Sequence, residues 1–307
     1  MPMNKIKVKF PARISMNLFT YPNKLVKGGY GVAIKMNNYL SISKSDKDSI
    51  KVKSVEDNVD LLIKYYLEKF RKISNFKFKV NIVLELDDRF KNHVGYAFNS
   101  NIACAIYYAL NKIIDDRFTK DEILKYLFET YAELNNSSIT RNDSTCMISQ
   151  HCALNGGLNI IDDLKLIYNY KFPINYKMAL IYFDDKIINN NIEEIKQKKK
   201  QFIPMSINYI RQIFNNNIIP ELDNDNIKNL KVNNLKILKG STRILRCENY
   251  LCGDEMIKVM EKLSTNGIVG LTSSSSTIYF ISKDMKKLDL KNRVDYFEID
   301  NQGITII

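Results

Sequence analysis

No run of about 18 apolar residues occurs anywhere in the chain, and its start, MPMNKIKVKF, has no apolar core behind its charges. Neither a membrane span nor a signal peptide is expected, and the protein is expected to be cytoplasmic. The five cysteines, Cys104, Cys146, Cys152, Cys247 and Cys252, are odd in number and form no CxxC pair. That pattern argues against a disulfide framework or a structural zinc site, and the thiols read as core residues. Tryptophan is absent, no RNA-binding aromatic motif is present, and no internal repeat is visible. The net charge of +12 raises the question of a polyanionic partner. The lysines are nevertheless spread along the chain, and the one dense run, KQKKK at 196–200, lies beside Glu193 and Glu194. Nucleic acid is therefore not expected, and a basic pocket for a phosphorylated small molecule is the better reading.

What is there is a chain of 307 residues with 45% hydrophobic content, enough to bury a substantial core without staples. Alternation and β-branched content predict strands over 5–10, 12–20, 32–36 and 39–43, with Gly28, Gly29 and Gly31 as punctuation. A helix follows over 55–73, with Val59, Leu62, Ile63, Tyr66 and Phe70 on one face. The segment 76–86 alternates as a strand. Thr119 then opens a helix expected over 120–134. After the Pro173 turn the pattern restarts with the strand MALIYF, which suggests domains 1–172 and 173–307. The second part reads as helices over 207–214 and 254–263 with strands over 268–271, 277–281 and 293–299, an α+β half.

The stretch NHVGYAFNSNIACAIYYAL, 92–110, joins a small polar loop to an apolar helix whose first turns carry no acid. Ile102, Ala103, Ile106, Tyr107, Leu110 and Ile113 give that helix a buried stripe. Its first backbone N–H groups make it an anion site, and Asn99, Ser100 or Asn101 can cap it while facing a phosphate. The loop lacks the glycines and lysine of a P-loop. Three further groupings carry chemistry. Arg13 can fork onto a carboxylate or phosphate, beside glycines that let backbone approach a ligand. RNDSTCMISQHCALNGG, 141–157, combines Arg141, small hydroxyls and His151, although no triad spacing appears. GLTSSSSTIYF, 270–280, places a hydroxyl-rich bend between two apolar strands.

In order, PARISMNLF with GGYGVAI, GYAFNSNIACAI and GLTSSSSTIYF resemble the three motifs of the GHMP kinase superfamily across most of the chain. Within it, HVG at 93–95, CMISQHCALNGG and PMSINYIRQIFNNNIIPEL at 204–222 resemble β-ribofuranosylaminobenzene 5'-phosphate synthase and related C-ribosyl transferases. The resemblance implies an α+β, GHMP-kinase-like fold: an N-terminal mixed sheet with helices and a ferredoxin-like C-terminal half. It implies decarboxylating C-ribosyl transfer from 5-phosphoribosyl pyrophosphate to an aromatic acid, with Mg²⁺; an ATP-dependent small-molecule kinase and a non-catalytic binding member are the alternatives.

On that reading Gly95, Asn99, Ser100 and Asn101, with Ser273, Ser274 and Ser275, hold the pyrophosphate. Arg13, Gly28, Gly29, Arg141, Ser144 and Thr145 hold substrate, and Asp143, His151 or Asp162 accepts a proton or positions a carboxylate. No metal ligands are assigned, and a homodimer stays open. Tyr96, Ala97, Phe98 and Asn99 stand where the family's loop has glycines, and the bulk of Phe98 is expected to crowd an ATP cradle. Asp162 sits in NIIDD, which lacks the family's following glycines.

Overall fold

The computed structural model describes residues 3–18, 28–92, 95–135, 137–142, 145–183, 254–272, 277–283 and 285–307. The chain forms two compact units. Unit 1 comprises 1–15, 27–171 and 300–307; unit 2 comprises 16–26 and 172–299. The helix expected at 207–214, the segment 204–222, the serines 273–276, Cys247 and Cys252 lie outside the described residues.

Unit 1 is built on a mixed sheet of seven strands. β1 (Lys5–Leu18) and β2 (Gly28–Ser45) are neighbours in it. β3 (Ser49–Lys53) pairs in parallel with β4 (Lys79–Glu85), and α1 (Val59–Ser74) connects the two. The main path runs β13 (Thr305–Ile306), β1, β2, β4, β3, and the first half of β2 also pairs with β7 (Leu158–Asp162), which pairs with β8 (Lys165–Tyr170). β13 closes against Val8 and Lys9 of β1.

Several expected boundaries move, each for a local reason. Pro11 reads as a break because it donates no hydrogen bond, yet β1 runs through it; Pro11 lies past the two residues that pair with β13. β2 likewise runs through Asn37 and Asn38, since Asn38 is fully buried and its side chain accepts the Asp87 N–H at 3.0 Å. Gly28 and Gly29 lie within β2 opposite Asp162 and Ile161 and do not form a turn. A Cβ on Gly31 would sit 2.7 Å from the Ile148 side chain and 2.9 Å from the Ile14 carbonyl oxygen, so this glycine admits a helix against the strand.

That helix is α4 (Ile148–Asn155), which periodicity does not reveal because Ile148 to Ala153 are all buried. α3 (Lys120–Glu129) ends well before 134. The next residues form β5 (Ala132–Asn135), paired with β6 (Ser138–Arg141). Tertiary bonds override helix propensity here: the Tyr66 hydroxyl donates to the Ala132 carbonyl at 2.9 Å and accepts the Ala132 N–H at 3.0 Å.

α2 (Phe98–Ile113) is the central helix, buried on nearly every face. α1 packs on it through edge-to-face contacts of Tyr66 and Phe70 with Tyr107. α2 and α4 both lie against β2. Cys104 and Cys152 are fully buried, and desolvation pushes both thiols up, Cys152 to about 12, as suits inert core residues.

Unit 2 holds a four-stranded antiparallel sheet in the order β10-β11-β9-β12. Its members are β9 (Tyr176–Tyr182), β10 (Ile268–Leu271), β11 (Thr277–Lys283) and β12 (Val294–Glu298). Read from β12, the strands come fourth, first, third and second in chain order, the ferredoxin-like arrangement. α5 (Asp254–Ser264) covers the sheet, setting Met256, Met260 and Leu263 against Ala179, Ile181, Ile278 and Phe280. The connection from β11 to β12 has no helix among its described residues. No helix of the described residues is long and apolar enough to cross a membrane.

Candidate functional site at the start of the central helix

α2 begins without the devices that usually close a helix. Its N-cap is Ala97, in the left-handed region at φ 59, with no side-chain cap bond and no acid in the first turn. Asn99, Ser100 and Asn101 were the expected caps; they lie one to three residues inside the helix, and their side chains turn to protein partners. Asn99 donates to Asn92 at 3.0 Å and accepts the Leu134 N–H at 3.0 Å. Ser100 donates to the Tyr131 hydroxyl at 3.2 Å, and Asn101 donates to the Tyr96 carbonyl at 3.1 Å.

The first backbone bond inside α2 runs from the Asn101 N–H to the Ala97 carbonyl, so the amides of Phe98, Asn99 and Ser100 precede the helical ladder. These amides and the positive end of the helix dipole are the anion-attracting groups of the site. The left-handed Ala97 costs about 1–2 kcal/mol relative to a right-handed residue. Gly95, at φ 92, precedes it where a side chain would be strained.

Phe98 does not crowd this end. It is buried, stacked at a tilt 5.1 Å from Phe90, which in turn meets Phe10 of β1 edge-on at 6.2 Å. Tyr96 is buried as well. The bulky residues of the loop are thus its anchors, each aromatic contact worth about 0.5–1.5 kcal/mol beyond burial.

Arg13 joins the same place from β1. Its backbone N–H donates to the Tyr96 carbonyl at 3.2 Å, and its guanidinium donates to the Ser149 hydroxyl through Nε at 3.0 Å and Nη2 at 2.5 Å. Ser149 lies in the first turn of α4, whose start repeats that of α2: a left-handed N-cap, Met147 at φ 61, no cap bond and no acid in the first turn. One arginine therefore stands between two uncapped helix starts, and among the described residues no carboxylate pairs with it. The geometry provides concentrated positive potential with fixed donors, suited to phosphate oxygens.

Glu133 was not singled out from the sequence. Its carboxylate accepts from the Tyr131 hydroxyl at 2.9 Å, which accepts from Ser100, so a half-buried acid is connected to the first turn of α2. Burial, reinforced by Glu133, holds the Tyr131 phenol well above its ordinary range and keeps it a neutral relay. The pairing of Tyr131, just before β5, with Ser100 of α2 has no local sequence signal.

The remaining expected residues are dispersed. Thr145 accepts the Met147 N–H and the Gln150 side chain, both at 3.3 Å, and so shapes the start of α4. Arg141 ends β6 and Asp162 ends β7 opposite Gly28. Asp143 and Ser144 lie outside the described residues, as do Ser273, Ser274 and Ser275. His151 is buried on α4 about 200° around the helix from Ser149, away from Arg13. Its Nδ1 lies 3.5 Å from the Asn155 amide nitrogen. Desolvation lowers its pKa to about 4. A buried, neutral ring with the Asn155 amide beside it suits a structural imidazole better than a proton acceptor.

No family model matches the chain, and no curated protein matches it in sequence. Solved structures do match over its full length. A homoserine kinase from Cytophaga hutchinsonii is 12% identical with a TM-score of 0.62, covering 100% of this chain and 98% of that one. The Methanococcus jannaschii mevalonate kinase is 12% identical with a TM-score of 0.66, covering 97% and 98%. A mevalonate pyrophosphate decarboxylase from Streptococcus pyogenes is 12% identical with a TM-score of 0.64, covering 98% of each chain. The fold is that of the GHMP kinases, as the three sequence motifs had suggested.

Proposed function

We propose that this protein is a small-molecule kinase that transfers the γ-phosphoryl group of ATP to a hydroxyl of a small polar acceptor. The observation that carries this reading is the open start of α2 beside Arg13, in a chain with a kinase fold along its whole length. Phosphoryl transfer asks the protein mainly for positioning and for charge stabilisation. The amides at the start of α2 bind phosphate oxygens, and the Arg13 guanidinium offsets charge that spreads over the transferring group. Ser149 holds Arg13 in place by accepting two of its N–H bonds.

Mg²⁺ fits the donor chemistry at this end of α2. The Ser100 hydroxyl and the Glu133 carboxylate are hard oxygen donors that meet through Tyr131, and Asn101 Oδ1 is a buried acceptor with no hydrogen-bond partner among the described residues. The ion, when bound, neutralises phosphate charge.

C-ribosyl transfer was favoured in part because Phe98 was expected to crowd ATP; with Phe98 buried, that objection goes. The test is calorimetric titration with ATP and with 5-phosphoribosyl pyrophosphate, each with Mg²⁺, followed by ADP release with a panel of small hydroxy acids and amino alcohols. Binding of ATP with acceptor-dependent ADP release is expected. Binding of phosphoribosyl pyrophosphate in preference to ATP, with pyrophosphate and carbon dioxide released from an aromatic acid, would overturn it. Silence toward both donors would favour a binding protein that kept the fold.

A further inference from the structure

The flank of α4 turned away from Arg13 borders a cavity of about 590 Å³, enclosed by α3, α4 and the turn between β7 and β8. This is within the usual size range of small-molecule sites, roughly 300–1,000 Å³. Its inner wall is apolar, with Leu124 and Met147 buried, Leu164 reaching in from the turn and Leu166 from β8. Its rim carries Lys120, Lys125 and Lys165 against a single acid, Asp121. Lys120 is already committed, donating to the Leu154 carbonyl at 3.3 Å and to the Asn155 side chain. Lys125 and Lys165 are exposed and have no ion-pair partner among the described residues.

A second observation concerns the turn itself. Asp163 and Leu164 both adopt left-handed backbone, at φ 46 and 67, where two-residue hairpins favour Asn-Gly. A leucine is strained there. His151 and Leu164 line the same cavity. Strain of this kind persists where the surroundings enforce it, and here it presents a branched apolar side chain to the cavity.

We propose that this cavity binds a small amphipathic anion, an alkyl chain of medium length ending in a carboxylate. The chain lies against Leu124, Met147 and Leu164, and Lys125 and Lys165 neutralise the head group. The site shares only Met147 with the start of α4 beside Arg13 and does not depend on the phosphoryl-transfer reading.

The experiment is isothermal titration of the full chain with decanoate, with decanol and decyltrimethylammonium as neutral and cationic counterparts. Decanoate is expected to bind at least about tenfold more tightly than either, a difference of about 1.4 kcal/mol. Combining Lys125→Glu with Lys165→Glu, both surface changes, is expected to remove that preference. Leu164→Gly relieves the left-handed leucine and removes a wall, so it should raise the melting temperature while weakening decanoate. No uptake of decanoate, equal uptake of decanol, or a preference that survives the double charge reversal would each overturn the proposal.

Discussion

α2 and α3 start in opposite ways. α3 is sealed by its own sequence: the Thr119 side chain accepts the Glu122 N–H, Glu122 reaches back to the Thr119 N–H at 2.8 Å, and Asp121 and Glu122 place acid in the first turn. α2 has a left-handed alanine, no cap bond and no acid, although it is the more buried helix. Where stability alone is served, the chain supplies the negative charge a helix start attracts. At α2 the first turn has no such charge, and the loop is secured instead by Phe90, Phe98 and Asn99.

The comparison breaks if α2 proves as self-contained as α3. The largest effect is expected from Arg13→Ala, which should lower the rate of phosphoryl transfer by about 100-fold or more with a retained circular-dichroism spectrum. A turnover within a few-fold of the parent would remove Arg13 from the site. Ala97→Asp comes next, since aspartate tolerates left-handed backbone and brings to α2 the acid that α3 already has. Nucleotide affinity should fall about tenfold by titration. The melting temperature should rise by the equivalent of about 0.3–1 kcal/mol. Opposite signs for binding and stability distinguish charge competition from damage to the loop. Thr119→Ala sharpens the other side: a loss of about 1 kcal/mol in denaturant melts, with nucleotide affinity unchanged.

The smallest effect at neutral pH involves His151 on α4. Its folded pKa of about 4 lies below the ordinary 6.5, so the unfolded chain takes up the proton first. The resulting stability is present in full above pH 6.5 and is lost as the pH falls from 6.5 toward 4. Urea melts at pH 7.5 and 5 should show this decline in the parent and a flatter one in His151→Gln. Imidazole NMR signals should place one of the two histidines near 4; a midpoint near 6.5 for His151 would show that the ring is not desolvated.

Much of the frame was readable from periodicity. The stripe of α1 and the alternation in β4 each give a period that one buried face enforces, and the continuous apolar runs of α2, β9 and β11 mark elements buried on more than one face. The approximate start of α2 was readable too, because an absence of acids is local. What failed was set by distant partners. Residues 132–135 continue a helical pattern, yet Tyr66 and Asn99 draw their backbone into a strand. ISQHCALN has no helical period because β2, β7 and α2 surround it. The direction of Phe98 is fixed by Phe90, eight residues earlier, and the link from Ser100 to Glu133 passes through a tyrosine hydroxyl that no spacing rule anticipates.

The segment Asp300–Ile307 has a consequence for the order of assembly. It belongs to unit 1 although all of 172–299 intervenes. It supplies the Asp300 carbonyl that accepts the Gly157 N–H at 2.6 Å, the Ile304 N–H that donates to Ala153 at 2.7 Å, and the β13 pairing to β1. On the ribosome, unit 1 cannot finish folding when residues 1–171 have emerged, because these bonds arrive only after the rest of unit 2 has been translated. A nascent chain stalled before residue 300 should therefore hold a sheet whose β1 lacks its last neighbour, and release from the stall completes it.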